Sequence, residues 1–330
     1  MKSELSQAQV LKFFAEDNWD KIQEVKRIVK ELDSTYIDHT RINGDISPIL
    51  TIVMTTTPKR KQQTLFTLKT IKRSTISKQL QVVVVEDSTT GKYIEKEKLE
   101  DFGLFIDHVK IKNKFWVNPC VNYNIGFKSA LSERIIIQNG EVCHVGDICL
   151  KASKDTAPGK YLVFDVIALQ REQSNTALHL RDIGPFCKLK SNFNPRTTKW
   201  YQHHKHRNAN LHFLTSISSQ DLKEIGGGFD LDYSMATCFD DPAFINQLKS
   251  IKIQFVNVPE SNYSLMGIHQ WHGPENPKMI LTNVQNQHLL IAKEEYQNKH
   301  NKYPFLDTKS ALYDVFKKKS CEELLNNEQS

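Results

Sequence analysis

The sequence predicts an α/β protein with a doubly wound sheet, and three segments carry that prediction. ILTIVMTTT, from residue 49, and QVVVVEDST, 81–89, are apolar, β-branched runs too continuous for half-exposed strands. Strands buried on both faces read this way, as those of parallel sheets do. Between them PKRKQQTLFTLKTIKRS spaces Leu65, Leu68 and Ile71 as a helix does. Strand, helix and strand form a β-α-β unit, the building block of sheets covered by helices.

The elements follow in chain order. Residues 8–32 place Ile22, Val25, Ile28, Val29 and Leu32 three or four apart, which predicts an amphipathic helix packed on the main domain or on a partner. Asn43, Gly44, Asp45 and Pro48 break the chain before the first strand. After the β-α-β unit, NIGFKSALSE (124–133) reads as a helix. ERIIIQNGEV (133–142) reads as a third buried strand and KYLVFDVIAL (160–169) as a fourth. Beyond residue 275 the chain turns polar, with a final helix expected near 309–325. The domain boundaries expected are an N-terminal helical extension, 1–47, a main domain, 48–275, and a C-terminal helical tail, 276–330. Pairing of the terminal helices would give a homo-oligomer.

Composition narrows the function classes. A chain of 330 residues with 39% apolar content can bury one large core. Its apolar runs, such as Val82–Val85 and Ile135–Ile137, fall far short of the roughly 20 residues that cross a bilayer. MKSELSQAQV lacks the features of a secretory signal, so a cytoplasmic location is expected. Cys120, Cys143, Cys149, Cys187, Cys238 and Cys321 form no C-x-x-C pair, which points to reduced thiols rather than a zinc ribbon or disulfide framework. A net charge of +6 with interspersed acids requires no groove for a polyanion, and no nucleic-acid partner is expected.

In open α/β sheets, ligands bind at the carboxyl ends of the strands. Three strand ends here carry chemistry. Thr55, Thr56, Thr57, Lys59 and Arg60 end the first, with hydroxyls and cations suited to a diphosphate or ribose. Glu86 and Asp87 end the second, and Asp87 can accept from a uracil imide or a ribose hydroxyl or serve as a solvated turn residue. Asn139, Gly140 and Glu141 end the third, where Glu141 offers a hard oxygen to magnesium or manganese or lies on the surface. Asp240 and Asp241 precede Pro242, a start signal for a helix through Phe244, Ile245 and Leu248. WYQHHKHRN (200–208) reads as a polar loop, because His203, His204 and His206 lack a partner acid at metal-ligand spacing. Gly226, Gly227 and Gly228 make no phosphate loop, since no Lys-Ser or Lys-Thr follows. Trp200, Tyr201 and Trp271 suit either a sugar face or the core.

The order of these motifs resembles the family 2-like glycosyltransferases of the GT-A fold, which include bacterial capsule polymerases and related viral enzymes. The likeness spans about residues 49–275 with gaps. ILTIVMTTTPKR is similar to the family's opening strand and nucleotide loop, VVVVEDST to its acid-ended strand, and NPCVNYNIGFKSA to its asparagine-rich segment. ERIIIQNGEV stands at the Asp-x-Asp metal motif, HFLTSISSQDLKEIGGGFD at the acceptor segment, CFDDPAF at the Glu-Asp pair and GIHQWHG at the later histidine motif.

The resemblance implies a GT-A architecture: a mixed, Rossmann-like central sheet with helices on both faces and helical extensions at each end. Residues 48–150 would bind the nucleotide and 151–275 the acceptor. It implies transfer of a sugar, with inversion, from a nucleotide diphosphate donor, a UDP-sugar, to a glycan or other hydroxyl acceptor. Mn2+ or Mg2+ would be held by Glu141, His269 and the neighbouring His272. Asp241 would be the general base and Asp240 its orienting neighbour. Thr55, Thr56, Thr57, Arg60, Glu86, Asp87, Asn122, Lys128 and Asn139 would hold the donor, and Gly227, Gly228, Phe229, Asp230, Trp200 and Trp271 the acceptor. Asn139 replaces the first aspartate of the metal motif, and Tyr123 stands where many members have an arginine. Two other readings remain: a glycosyltransferase-like binding module, favoured by Asn139, and a sugar nucleotidylyltransferase, disfavoured because TTTPKR has no glycine.

Overall fold

A computed structural model describes residues 16–44, 46–88, 90–182, 199–258, 264–273 and 283–305. Its larger sheet contains β1 (Ile37–Ile42), β2 (Leu50–Thr56), β3 (Leu80–Asp87), β4 (Phe105–Ile111), β5 (Arg134–Asn139), β7 (Lys160–Phe164), β10 (Leu214–Ser218) and β11 (Gln254–Val258). The order is β1-β4-β3-β2-β5-β10-β7-β11. β4, β3, β2 and β5 run parallel, while β1 and β10 run against their neighbours, so the sheet is mixed. A smaller sheet joins β6 (Val142–Val145), β12 (Met266–His269), β8 (Val166–Ala168) and β9 (Trp200–Gln202) in the order β6-β12-β8-β9.

The helices are α1 (Glu16–Glu31), α2 (Lys61–Ile71), α3 (Lys96–Glu100), α4 (Cys120–Ser129), α5 (Ile148–Asp155), α6 (Arg171–Leu180), α7 (Ser219–Glu224), α8 (Asp240–Ser250) and α9 (Asn283–His300). Alternation along the strands divides the core in two. Val53, Val83, Val85 and Ile137 face α1, α4 and α8. Ile52, Met54, Val82, Val84 and Ile136 face α2, α5 and part of the small sheet. Because both faces are covered, the central strands read as unbroken apolar runs.

Two runs read as single strands are each divided between the sheets. ERIIIQNGEV gives β5 in the large sheet, a turn at Gly140 and Glu141, then β6 in the small one. KYLVFDVIAL gives β7, then Asp165, then β8. An apolar run reports burial, not the sheet in which a strand pairs. Gly140 allows the first crossing, since a Cβ there would lie 2.7 Å from the Thr55 carbonyl oxygen.

The N-terminal helix is described from Glu16, and it packs Val25, Ile28 and Val29 into the main core. The helix expected at 124–133 starts earlier, at Cys120, whose N–H donates to Asn118 Oδ1 at 2.9 Å. The helix expected near 309–325 lies outside the described residues. Instead α9 occupies the polar stretch after 275, docked through Leu289 and Leu290 against Trp19, Tyr233 and Ala243. Among the described residues no helix is long and apolar enough to cross a membrane.

Candidate active site

Parallel register sets the carboxyl ends of β2, β3 and β5 level, with Thr55 opposite Asn139 and Thr56 opposite Glu86. A cleft of about 420 Å³ opens over these ends, closed on its far side by the start of α8. It is lined by Thr55, Thr56, Thr57, Arg60, Asp87, Asn122, Asn139, Glu141, Asp240, Asp241, His269 and His272. The structure thus brings the carbonyl end of the sheet, the histidine motif and the Asp-Asp pair into one space.

The small sheet assembles the histidine and acid groups. β12 pairs with β6 so that His269 stands opposite Val142, beside Glu141. Glu141 Oε1 lies 2.7 Å from Arg60 Nη1, 3.2 Å from His269 Nε2 and 3.3 Å from His272 Nε2. Burial opposes ionisation of Glu141, but His269, His272 and Arg60 outweigh it and hold the carboxyl well below its usual range. Tyr201 stacks on the His269 ring at 4.0 Å.

These groups fit a divalent cation. One ligand atom from each of Glu141, His269 and His272 lies within 4.8 Å of the others. Glu141 Oε2 is buried with no hydrogen-bond partner among the described residues, which leaves its charge to a cation. His272 Nδ1 lies 3.2 Å from the Gly273 carbonyl oxygen, and with a cation bound a proton there would turn the Nε2 lone pair to the ion in place of the contact with Glu141.

A second group, Asp165, His203 and His204, has similar spacing. It supplies the acid that the histidine stretch lacked in sequence, because the β7–β8 crossing carries Asp165 to His204 Nδ1 at 2.8 Å. The arrangement suits a clasp better than a metal. His203 Nδ1 accepts the N–H groups of Lys205 and His206 at 3.0 and 3.1 Å, which puts the neutral ring's proton on Nε2. Burial depresses the His203 pKa to about 4, keeping that ring neutral.

Asp240 and Asp241 are the first residues of α8, where the exposed N–H groups favour negative charge. Asp241 Oδ1 lies 2.5 Å from Nδ1 of His212, a residue the sequence gave no reason to select. Burial works against protonation of His212, but Asp241 outweighs it and raises the pKa. The more deeply buried Asp240 has its carboxyl pushed up to about 6, by burial first and by the charge of Asp241 second. Asn118 Nδ2 donates to Asp240 Oδ1 at 3.1 Å.

At the end of β3, Asp87 pairs with Lys114 and lies 3.4 Å from Asn122 Nδ2. Lys114 also lines the cleft and was not selected from sequence, since nothing marks it among the chain's many lysines. Tyr123 shares its single hydroxyl proton between Asn139 Oδ1 at 2.9 Å and the Gln138 carbonyl oxygen at 3.0 Å. It therefore turns the Asn139 oxygen inward.

Eight expected site residues do not line this cleft. Glu86 is buried beneath it, accepting from His108 Nε2 and Ile94 N–H, both at 2.8 Å. Lys128 lies in the last turn of α4 and, with Gly227, borders a separate hollow. Gly228 packs on Asn124, where a Cβ would meet Oδ1 at 2.3 Å and φ is +143°. Phe229 stacks in the core on Phe244 at 4.3 Å. Asp230 pairs with buried Lys293 and accepts from Tyr303 Oη. Trp200 is buried against His203 at 4.3 Å, and the Trp271 ring lies under Arg171 at 5.1 Å. A motif gives sequence position, but burial decides whether a side chain faces ligand or core.

No protein-family model matches the sequence, and no curated protein matches it. Solved structures do match. S. aureus TarS 1–349 in complex with UDP-GlcNAc superposes with a TM-score of 0.53 at 12% identity, covering 81% of this chain and 70% of that one. The chain has the GT-A fold. The longer S. aureus TarS structure gives a TM-score of 0.52 at 10% identity, and the GT-A chain covers 44% of its length. The mannosyltransferase PcManGT from Pyrobaculum calidifontis, solved with GDP-Man and Mn2+, aligns over 93% of this chain and 80% of its own at 14% identity. Its TM-score is 0.45. At these identities the GT-A likeness is one of fold.

Proposed function

We propose that this GT-A chain is a glycosyltransferase that moves a sugar from a UDP-sugar to a hydroxyl of a glycan or other acceptor, inverting the anomeric carbon. The reading rests on one observation: a single cleft holds Glu141, His269 and His272 at the strand ends and the Asp240–Asp241 pair, with His212, at the start of α8. TarS 1–349 has been solved with UDP-GlcNAc, which agrees with a uridine donor. A divalent ion held by Glu141, His269 and His272 would supply Lewis-acid stabilisation of the leaving diphosphate. Manganese suits this donor set better than magnesium, because two of the three ligand atoms are imidazole nitrogens.

The chain's own residues perform the remaining work. Arg60 and the hydroxyls of Thr55, Thr56 and Thr57 hold phosphate and ribose oxygens, while Asp87, oriented by Lys114 and Asn122, accepts from the nucleoside. Since His212 occupies Asp241 Oδ1, Oδ2 is the atom left for the acceptor. There Asp241 takes the hydroxyl proton as the acceptor oxygen bonds to the anomeric carbon and the donor's carbon–phosphate-oxygen bond breaks, releasing UDP. His212 fixes the carboxylate rotamer and, when protonated, balances its charge. The same proposal places the reaction in the cytoplasm.

The test is incubation with a panel of nucleotide sugars, hydroxyl acceptors and manganese, following nucleoside diphosphate release and the anomeric configuration of the product by NMR. UDP release with an inverted product is expected. No release from any donor would favour a binding module. Pyrophosphate from a nucleoside triphosphate would favour a nucleotidylyltransferase, and a retained configuration would remove Asp241 from the base role.

A further inference from the structure

The turn that delivers Asp240 and Asp241 to the cleft is an unusual piece of backbone. Cys238 and Phe239, directly before them, both adopt left-handed conformations, with φ of 64° and 67°. Neither is glycine, so each costs energy that the surroundings must offset. Phe239 caps α8 without a side-chain hydrogen bond to the helix, so the cap does not fix the turn.

What fixes it comes from outside residues 48–275, the stretch that sequence marks as the main domain. Asn286 of α9 is 3% exposed, and its Nδ2 faces the carbonyl oxygens of Tyr233, Ala236, Thr237 and Cys238 at 3.2, 3.0, 3.5 and 2.9 Å. Only the amide NH2 can meet four carbonyl oxygens, since the amide oxygen would be repelled by all of them. Two hydrogens serve the shorter contacts, to Cys238 and Ala236. Asn118 Nδ2 reaches the same Ala236 carbonyl at 3.1 Å and continues to Asp240 Oδ1, so a chain of contacts runs from α9 to the carboxylate. Two turns further along α9, Lys293 is buried between Asp230 and Asp232, anchoring the helix at the other end of the same loop.

We propose that Asn286 is a positioning residue for the reaction: it holds the left-handed turn at Cys238 and Phe239 that aims Asp240 and Asp241 into the cleft. The catalytic part of this inference rests on the glycosyltransferase reading above. α9 is then part of the active-site framework rather than a tail.

The test compares the full chain with Asn286→Leu, which keeps the size and removes both donors, and Asn286→Ser, which restores one. Amide hydrogen exchange is followed at residues 236–241, with 82–85 in β3 as the internal reference, alongside kcat and the donor KM. For Asn286→Leu the expected result is exchange at 236–241 at least tenfold faster, an unchanged reference strand, kcat at least tenfold lower and a donor KM within twofold. Asn286→Ser should recover part of both losses. Unchanged exchange at 236–241 would overturn the inference. So would faster exchange with kcat intact, or losses that spread equally to β3 and the donor KM, as general destabilisation would give. If the unaltered chain turns over no donor, the functional reading fails on its own, and the exchange measurement still decides whether Asn286 holds the turn.

Discussion

Replacing Asp240 with asparagine isolates the electrostatic cost of placing two acids at the start of α8. Burial and the neighbouring Asp241 lift the Asp240 carboxyl from 3.8 to about 6. A difference of about 2 pH units corresponds to about 3 kcal/mol. Because the folded-state value is raised, Asp240 favours folding only while protonated. That contribution is complete below the unfolded value and is lost as the pH rises through about 6. Above this range the ionised side chain is less stable in the fold than in the unfolded chain. Asparagine carries no charge and keeps the oxygen that accepts from Asn118. The stability of Asp240→Asn relative to the unaltered chain should therefore improve by about 2 kcal/mol between pH 4.5 and pH 8. Urea denaturation of both proteins at the two pH values measures it. A difference that stays constant, or shrinks toward pH 8, would refute the reasoning.

Three further outcomes are expected. Asp241→Asn should lower transfer by about 10²- to 10⁴-fold with the donor KM within twofold, the loss usual for a general base; unchanged transfer removes it from that role. Glu141→Gln should weaken manganese binding, read by calorimetry, by more than the roughly 10- to 100-fold that losing an outer-shell partner costs; undiminished binding places the ion elsewhere. Lys293→Met should destabilise the fold by about 3–5 kcal/mol, because it leaves Asp230 buried without its cation and Asp232 with Lys26 alone. Adding Asp230→Asn and Asp232→Asn should restore most of that loss in a denaturation series.

The parallel strands were legible because burial on both faces leaves a mark in sequence, as in ILTIVMTTT and QVVVVEDST. Their polar ends were legible for the same reason, since Thr55, Asp87 and Glu141 interrupt apolar runs. What sequence did not carry is how the chain changes sheets. The polar steps at Gly140–Glu141 and Asp165 mark where a strand ends but not which sheet the chain enters next, and the register they create brings His269 beside Glu141. His212 had no local signature: it precedes β10 in a short apolar stretch and meets Asp241 only through tertiary packing. In GGGFD, conversely, the motif was visible but its facing was not, and Phe229 and Asp230 went to the core. α9 was missed because its buried positions include Asn286 and Lys293, polar residues that disguise a packed face.

Asp232 is where the two ends of the described chain meet. Lys26 of α1 reaches its Oδ1 at 2.9 Å, and Lys293 of α9 reaches its Oδ2 at 2.6 Å. Cutting the protein down to 48–275, the stretch that sequence marks as the main domain, would discard both lysines and retain both buried aspartates. The shortened protein would keep every strand end of the cleft, yet its Asp230–Asp232 loop would have to rearrange to reach water. That loop leads directly into Asp240 and Asp241. For expression or fusion, the shortest sensible fragment therefore runs from the start of α1 to beyond Tyr303, whose hydroxyl also bonds to Asp230.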